Sequence, residues 1–107
     1  MIELPPGLAA YRRTPVFTET TLPAGLRQRH RTKPGVWAAI TVVAGRLRFR
    51  RFDPVEEVLL EPGTPAIVAP EAPHEVEPVG PVRFFIEFHA APADPGSLKE
   101  AGRSAAK

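Results

Sequence analysis

Fourteen prolines in 107 residues exclude most helical architectures for this chain. A proline ring removes a backbone donor and clashes with the preceding turn, so it is expelled from helix interiors and from central strands. Eight glycines accompany them, and many of both fall in clusters: Pro5-Pro6-Gly7, Pro23-Ala24-Gly25, Lys33-Pro34-Gly35, Pro62-Gly63 and Gly80-Pro81. Such clusters cut a chain into short segments joined by turns. The segments keep enough apolar residues for a core. Leu, Ile, Val and Phe number 28, above the roughly 20% share below which disorder is expected.

Between the turns the segments read as strands. Tyr11 to Phe17 is a candidate broken at Pro15, and Leu26 to Thr32 alternates long polar residues. Val36 to Ala44 is almost continuously apolar and ends at Gly45, as for a strand covered on both faces. Arg46 to Arg50 has period two, with Leu47 and Phe49 on one side and three arginines on the other. Val55 to Glu61, Ala66 to Val68, His74 to Glu77 and Val82 to His89 follow. About eight short strands with almost no helical signal predict an all-β sandwich or small barrel. We expect an extended lead-in over residues 1–9, one β-domain over 10–90 and a polar tail over 91–107. In the tail, Ser97 and Glu100 fit a capping box, so the tail is expected to be frayed or a short helix.

The net charge of +2 conceals an asymmetry. Residues 1–53 carry ten basic side chains against three acidic ones, and residues 54–107 carry four against nine. A basic arm for nucleic acid would give this pattern, and so would basic and acidic strands side by side in one sheet. Pairing Arg46–Arg50 with Val55–Glu61 in a hairpin accounts for much of it. The arginine face also lacks the interleaved aromatics of a single-strand stacking platform, so no nucleic-acid partner is expected. No apolar run is long enough for a membrane span, and the first residues lack a leader pattern. With no cysteine there is no disulfide framework or thiolate site, and a cytoplasmic location is the simplest expectation.

The three histidines concentrate the chemistry: His30 before a turn, His74 opening a strand, His89 ending the last one. An imidazole serves equally as a metal ligand or as a hydrogen-bonded edge residue, and the residues alone leave both open. Gly-x-Ser-x-Gly, His-Glu-x-x-His and phosphate-loop motifs are absent.

Two runs carry a resemblance. Gly25 to Trp37, followed by Val43-Ala44-Gly45-Arg46-Leu47, looks like the first half of a cupin signature. Pro62 to His74 looks like the second. More narrowly, His-x-Thr-Lys-x-Gly-x-Trp, then Pro-x3-His-Glu-Val-Glu and Arg-Phe-x-Ile-Glu-Phe, is similar to the small cupins of the TehB/YeaR-like, tellurite-resistance family, over roughly residues 5–90.

The resemblance implies an all-β, cupin-type double-stranded β-helix, a jelly-roll barrel with one open mouth. It further implies a metal ion, small molecule or oxyanion bound at that mouth, in a tellurite-resistance or stress-response role. Of the four cupin ligand positions His30 and His74 match two, while Thr32 and Ala38 occupy the others. A divalent zinc, iron, nickel or manganese ion would need a third ligand. Glu87 is an outside candidate, because strand parity puts Phe84, Ile86 and Phe88 on the core face and Glu87 and His89 on the other. Thr32 and Lys33 beside two imidazoles would suit an oxyanion, with Lys33 otherwise a turn residue. Trp37 reads as packing. A homodimer is expected from small size. The alternative is a metal-dependent enzyme, a small dioxygenase or isomerase, at the same histidines, and a third option is a domain acting through its surface.

Overall fold

Two long strands organise the chain. In the computed structural model, which describes residues 3–52 and 54–92, these are β3 (Trp37–Arg51) and β6 (His74–Ala90). The shorter strands are β1 (Ala9–Arg13), β2 (Phe17–Thr18), β4 (Glu56–Leu60) and β5 (Ala66–Val68). All are antiparallel in one six-stranded sheet of order β1-β6-β3-β4, with β2 also along β6 and β5 also along β3. The architecture is all-β among the described residues, with a single 3-10 turn at Ala24–Arg27. The stretch around Ser97, expected to be frayed or a short helix, lies outside the described residues.

The strand boundaries correct the sequence reading at three places. Gly45 does not end a strand. The apolar run before it and the Arg46–Arg50 run after it form the single strand β3, which pairs with β6 from Trp37↔His89 to Arg51↔His74. Its inward positions are Ala38, Ile40 and Val42 before the bend and Leu47 and Phe49 after it, so the inward parity changes. Register shifts at Val42/Ala44 and Gly45/Leu47 absorb the change. Likewise β6 runs through Pro78, Gly80 and Pro81, the irregular stretch opposite this bend. Finally, Leu26 to Thr32 is not a strand but the 3-10 turn and a loop, touching the sheet only through a His30↔His74 bridge. Coverage on both faces is also incomplete: Ala39 is buried, but Val43 is 51% exposed.

The bend depends on close approach. Gly45 has φ +81°, and a Cβ there would collide with the Pro81 carbonyl and lie 2.9 Å from Val82 Cα. Where the ladder breaks, the Val82 N–H donates to Glu19 Oε1 at 3.0 Å, so a side chain replaces a missing strand partner. That hydrogen bond holds the Glu19 carboxyl below its ordinary range. Phe49, Phe84, Ile40, Leu47 and Val68 are the largest fully buried side chains, and Phe17 packs on Phe84 with centroids 5.7 Å apart.

The β3–β4 hairpin has the register that the alternation requires, with Arg50↔Glu57 and Arg51↔Glu56 directly opposite. On the outward face Arg50 bonds Glu57 on one side and Glu75 on the other, and Arg48 reaches Glu77 at 2.7 Å. This three-strand ladder takes up much of the charge asymmetry.

Gly45→Ala is expected to unfold the protein more readily than Gly80→Ala. Both glycines have positive φ, which for alanine costs ~1–2 kcal/mol, but only Gly45 also meets backbone. Equilibrium urea unfolding of the two variants checks the order, and equal losses would contradict the close approach.

Candidate functional site

The histidines meet where the loop after the 3-10 turn joins the start of β6. Two reciprocal backbone bonds, His30 N–H to His74 O (2.9 Å) and His74 N–H to His30 O (2.8 Å), clamp the loop to the strand. The rings touch at a tilt, with centroids 4.1 Å apart and planes at 54°. His74 is 3% exposed, on the inward face with Val76. Its Nδ1–H donates to the Ala72 carbonyl at 2.9 Å, which fixes the neutral tautomer with the lone pair on Nε2. Burial is the main cause pushing its pKa down to about 4, with His30 and the Arg51 guanidinium acting in the same direction. Burial also lowers His30. At neutral pH the site therefore holds two uncharged imidazoles.

Beneath His74 opens a cleft of about 380 Å³, walled by Phe49, Phe52, Val68, Ala72 and Pro73. Arg51 and Glu56 stand at its side. The Arg51 guanidinium lies over the Phe49 ring at 4.9 Å and donates to the Ile67 carbonyl. Its Nε–H is buried without an acceptor, since Glu56 Oε1, 3.1 Å away, is badly angled. Arg29 covers Phe52 at 4.0 Å from the loop side. The sequence reading missed Arg51 and Phe52. For Arg51 a signal existed, because the parity that turns Leu47 and Phe49 inward also turns residue 51 inward.

Thr32 and Lys33 do not form an anion pocket. The Thr32 hydroxyl donates to the Ala69 carbonyl (3.3 Å) and accepts the Glu71 N–H (3.0 Å). It latches the loop onto a turn in which Glu71 adopts φ +61°. Lys33 is exposed in its own turn. Glu87 is on the opposite face of the sheet from His74, bonded to Arg13 Nη2 (2.8 Å) and His89 Nε2 (3.1 Å). The Arg13 bond is the main cause holding its carboxyl below the ordinary range. Trp37 lies across from His89 on that outer side, half-buried.

Two predictions follow from the clamp. Free histidine titrates near 6.5, so between about pH 6.5 and 4 the unfolded chain binds a proton at residue 74 that the folded chain excludes. Stability is full above that window and falls with pH through it, by up to roughly 3 kcal/mol. His30 adds to the fall, whereas Glu19 and Glu87 act only below the ordinary carboxylate range. Melting temperatures are expected to drop from about pH 7.5 to about pH 5, and His74→Phe is expected to flatten the drop. An unchanged slope in that variant would remove His74 as the cause. Thr32→Val leaves the Glu71 N–H unpaired and is expected to lose ~1–2 kcal/mol, while Thr32→Ser retains most of it. Thermal unfolding of the pair decides.

Comparison with known proteins gives the site its context. The chain is 30% identical over 102 residues to the uncharacterised protein YeaR of Escherichia coli (strain K12), covering 86% of each. It is 35% identical over 75 residues to TehB of Haemophilus influenzae, a probable S-adenosyl-L-methionine-dependent methyltransferase, covering 65% of this chain but 26% of TehB. A crystal structure of an E. coli (strain K12) protein superposes with a TM-score of 0.81 at 30% identity, over 87% of this chain and all of that one. The TehB crystal structure gives 0.77 at 30% identity, over 88% of this chain and 35% of TehB. HppE, at 18% identity and a TM-score of 0.54, shares the fold alone, over 78% of this chain and 43% of that one.

These findings correct the function expected from the sequence. The tellurite-resistance or stress-response binding protein expected there, with a metal ion or oxyanion at the barrel mouth, and the metal-dependent enzyme offered as its alternative, are overturned. The described residues contain no group of three or more His, Asp or Glu side chains placed to hold a metal ion. His30 and His74 pack ring against ring at a tilt, and the third candidate, Glu87, is across the sheet. The cofactor named for the TehB relative is S-adenosyl-L-methionine, in place of zinc, iron, nickel or manganese. That cofactor does not fit the described residues either. Nucleotide-type cofactors sit on a Gly-rich loop between a parallel strand and a helix N-terminus. Among the described residues every strand is antiparallel and the only helical element is the four-residue 3-10 turn. Nor is any described helix long and apolar enough to cross a membrane. Residues 12–86 match the TehB-like domain family, and the chain belongs to it.

Proposed function

We propose that this chain is a companion β-domain for S-adenosyl-L-methionine-dependent methyl transfer of the TehB kind, holding the methyl acceptor while the donor is bound by a separate unit. One observation carries the reading: the chain superposes on about a third of TehB, yet its described residues offer no cradle for the donor. The methyltransferase unit then belongs to the remaining two-thirds of such a protein, and this chain acts beside one.

The cleft beneath His74 supports the acceptor role. Its walls are aromatic and aliphatic, and the two imidazoles above it are uncharged at neutral pH. Such a lining suits a small, largely apolar molecule with one polar edge, which Arg51 and Glu56 at the side of the cleft can meet. A closed cupin-type double-stranded β-helix belongs to the same proposal, supported by the bent β3–β6 pair and the fold shared with HppE. So does a cytoplasmic location.

The test uses Haemophilus influenzae TehB stripped of the segment this chain matches. Calorimetric titration of S-adenosyl-L-methionine into this chain is expected to give no binding. Adding the chain to the stripped enzyme, with a panel of small neutral molecules as methyl acceptors, is expected to raise methyl transfer, followed as release of S-adenosylhomocysteine. Ala72→Trp, which fills the cleft, is expected to abolish that gain while leaving the two proteins associated. Donor binding by this chain alone, or no gain on mixing, sinks the proposal.

A further inference from the structure

Strands β1 and β4 are the two ends of the sheet, and no described strand pairs with the outer edge of either. Natural edge strands are usually protected by bulges, prolines or charges that discourage a second chain. β4 has neither the bulge nor the proline. Its register with β3 runs without a bulge, it contains no proline, and Val58 and Leu59 are 39% and 46% exposed beside Val55 at 70%. Its charges are all acidic, Glu56 and Glu57, with Glu61 just beyond. β1 is the complement. All five of its residues are exposed, its charges are the basic Arg12 and Arg13, and the rest is Ala9, Ala10 and Tyr11.

We propose that β1 of one copy adds to β4 of the next, extending the sheet head to tail between copies of this chain. The pairing is fixed by facing. Arg13 and Ala10 share the outer face with Glu87 and His89, and Arg12 shares the inner face with Phe88, with Tyr11 the bulged residue. On β4, Glu57 lies on the outer face with Arg50, and Val58 on the inner face with Phe49. Antiparallel addition that keeps both faces continuous sets Arg13 opposite Glu57 and Arg12 opposite Val58, diagonal to Glu56. Beyond the bulge it sets Ala10 against Leu59 and Ala9 against Leu60. Basic meets acidic, small meets large, and the open backbone groups of both edges are satisfied. The contact is heterologous, so it closes as a ring, two-membered at the smallest, or runs on as a chain. Its test is separate from that of the methyl-transfer reading: Glu56 of β4 borders the cleft, but Ala10 and Leu59 do not.

Sedimentation velocity of the purified protein is expected to show assemblies of two or more copies that grow with concentration. Leu59→Arg blocks one edge and Ala10→Arg the other. Each variant, folded by circular dichroism, is expected to sediment as one chain. Mixed together they are expected to form a one-to-one pair, since each still offers the edge the other lacks. The absence of native cysteine allows a second reading. Ala10→Cys mixed with Leu59→Cys is expected to form a disulfide between copies, and Val43→Cys mixed with Leu59→Cys is not. A wild-type protein that stays one chain at every concentration overturns the proposal. So does a Leu59→Arg protein that still assembles, or a variant mixture that does not pair.

Discussion

Everything in this domain is hung on the pairing of β3 with β6. Each of the other strands joins one of these two, and the bend they share turns one ladder into two differently facing halves. The bend requires a residue without a side chain at 45, because the opposite backbone occupies the space a Cβ needs. It also breaks the hydrogen-bond ladder, and the carboxylate of Glu19 mends the break. A local steric demand thus fixes where the inward face changes parity, and so which side chains line the cleft.

That change of parity gives neighbouring residues opposite roles. Arg50 lies on the outer face between Glu57 and Glu75, in a solvated ladder where exposed ion pairs contribute little individually. Arg51, one position on, turns inward and meets Phe49 and the neutral His74. The His74 imidazole loses its charge because burial and the nearby Arg51 cation both oppose it, and burial does so at His30, while Arg50 is held charged by its carboxylate partners. One β-ladder therefore separates an outer face of solvated ion pairs from an inner face where Arg51 lies among buried rings.

Much of this was legible in the sequence. Proline and glycine clusters excluded helices, the Arg-Leu-Arg-Phe-Arg alternation gave the hairpin, and Phe84, Ile86 and Phe88 read correctly as the core face, leaving Glu87 outside. The motif halves around His30 and His74 pointed to the right family and to two residues that do meet. What failed has physical reasons. Gly45 looked like a stop because a glycine at a bulge and a glycine at a turn are the same letter. Leu26 to Thr32 alternates like a strand but has only the single bridge at His30 to pair it. Thr32 looked available to donate to a ligand, yet its hydroxyl proton goes to Ala69 and its oxygen accepts from Glu71, loop atoms with no sequence signature. The metal expectation failed for want of a third ligand on the histidines' own side of the sheet.

The central place of β6 governs how the chain can acquire its structure. Ala9 pairs with Ala90, Phe17 with Phe84, and His30 with His74. During synthesis the first half of the chain emerges with no template for β1, β2 or the histidine loop, and only the β3–β4 hairpin and β5 can assemble early. Closing such distant pairs is slow, because the entropy of long loops must be overcome before the contacts form. Until the last strand arrives, the apolar faces of β3 stay open to other chains. A ribosome-bound fragment ending before residue 74 is thus the form of this protein most dependent on a chaperone.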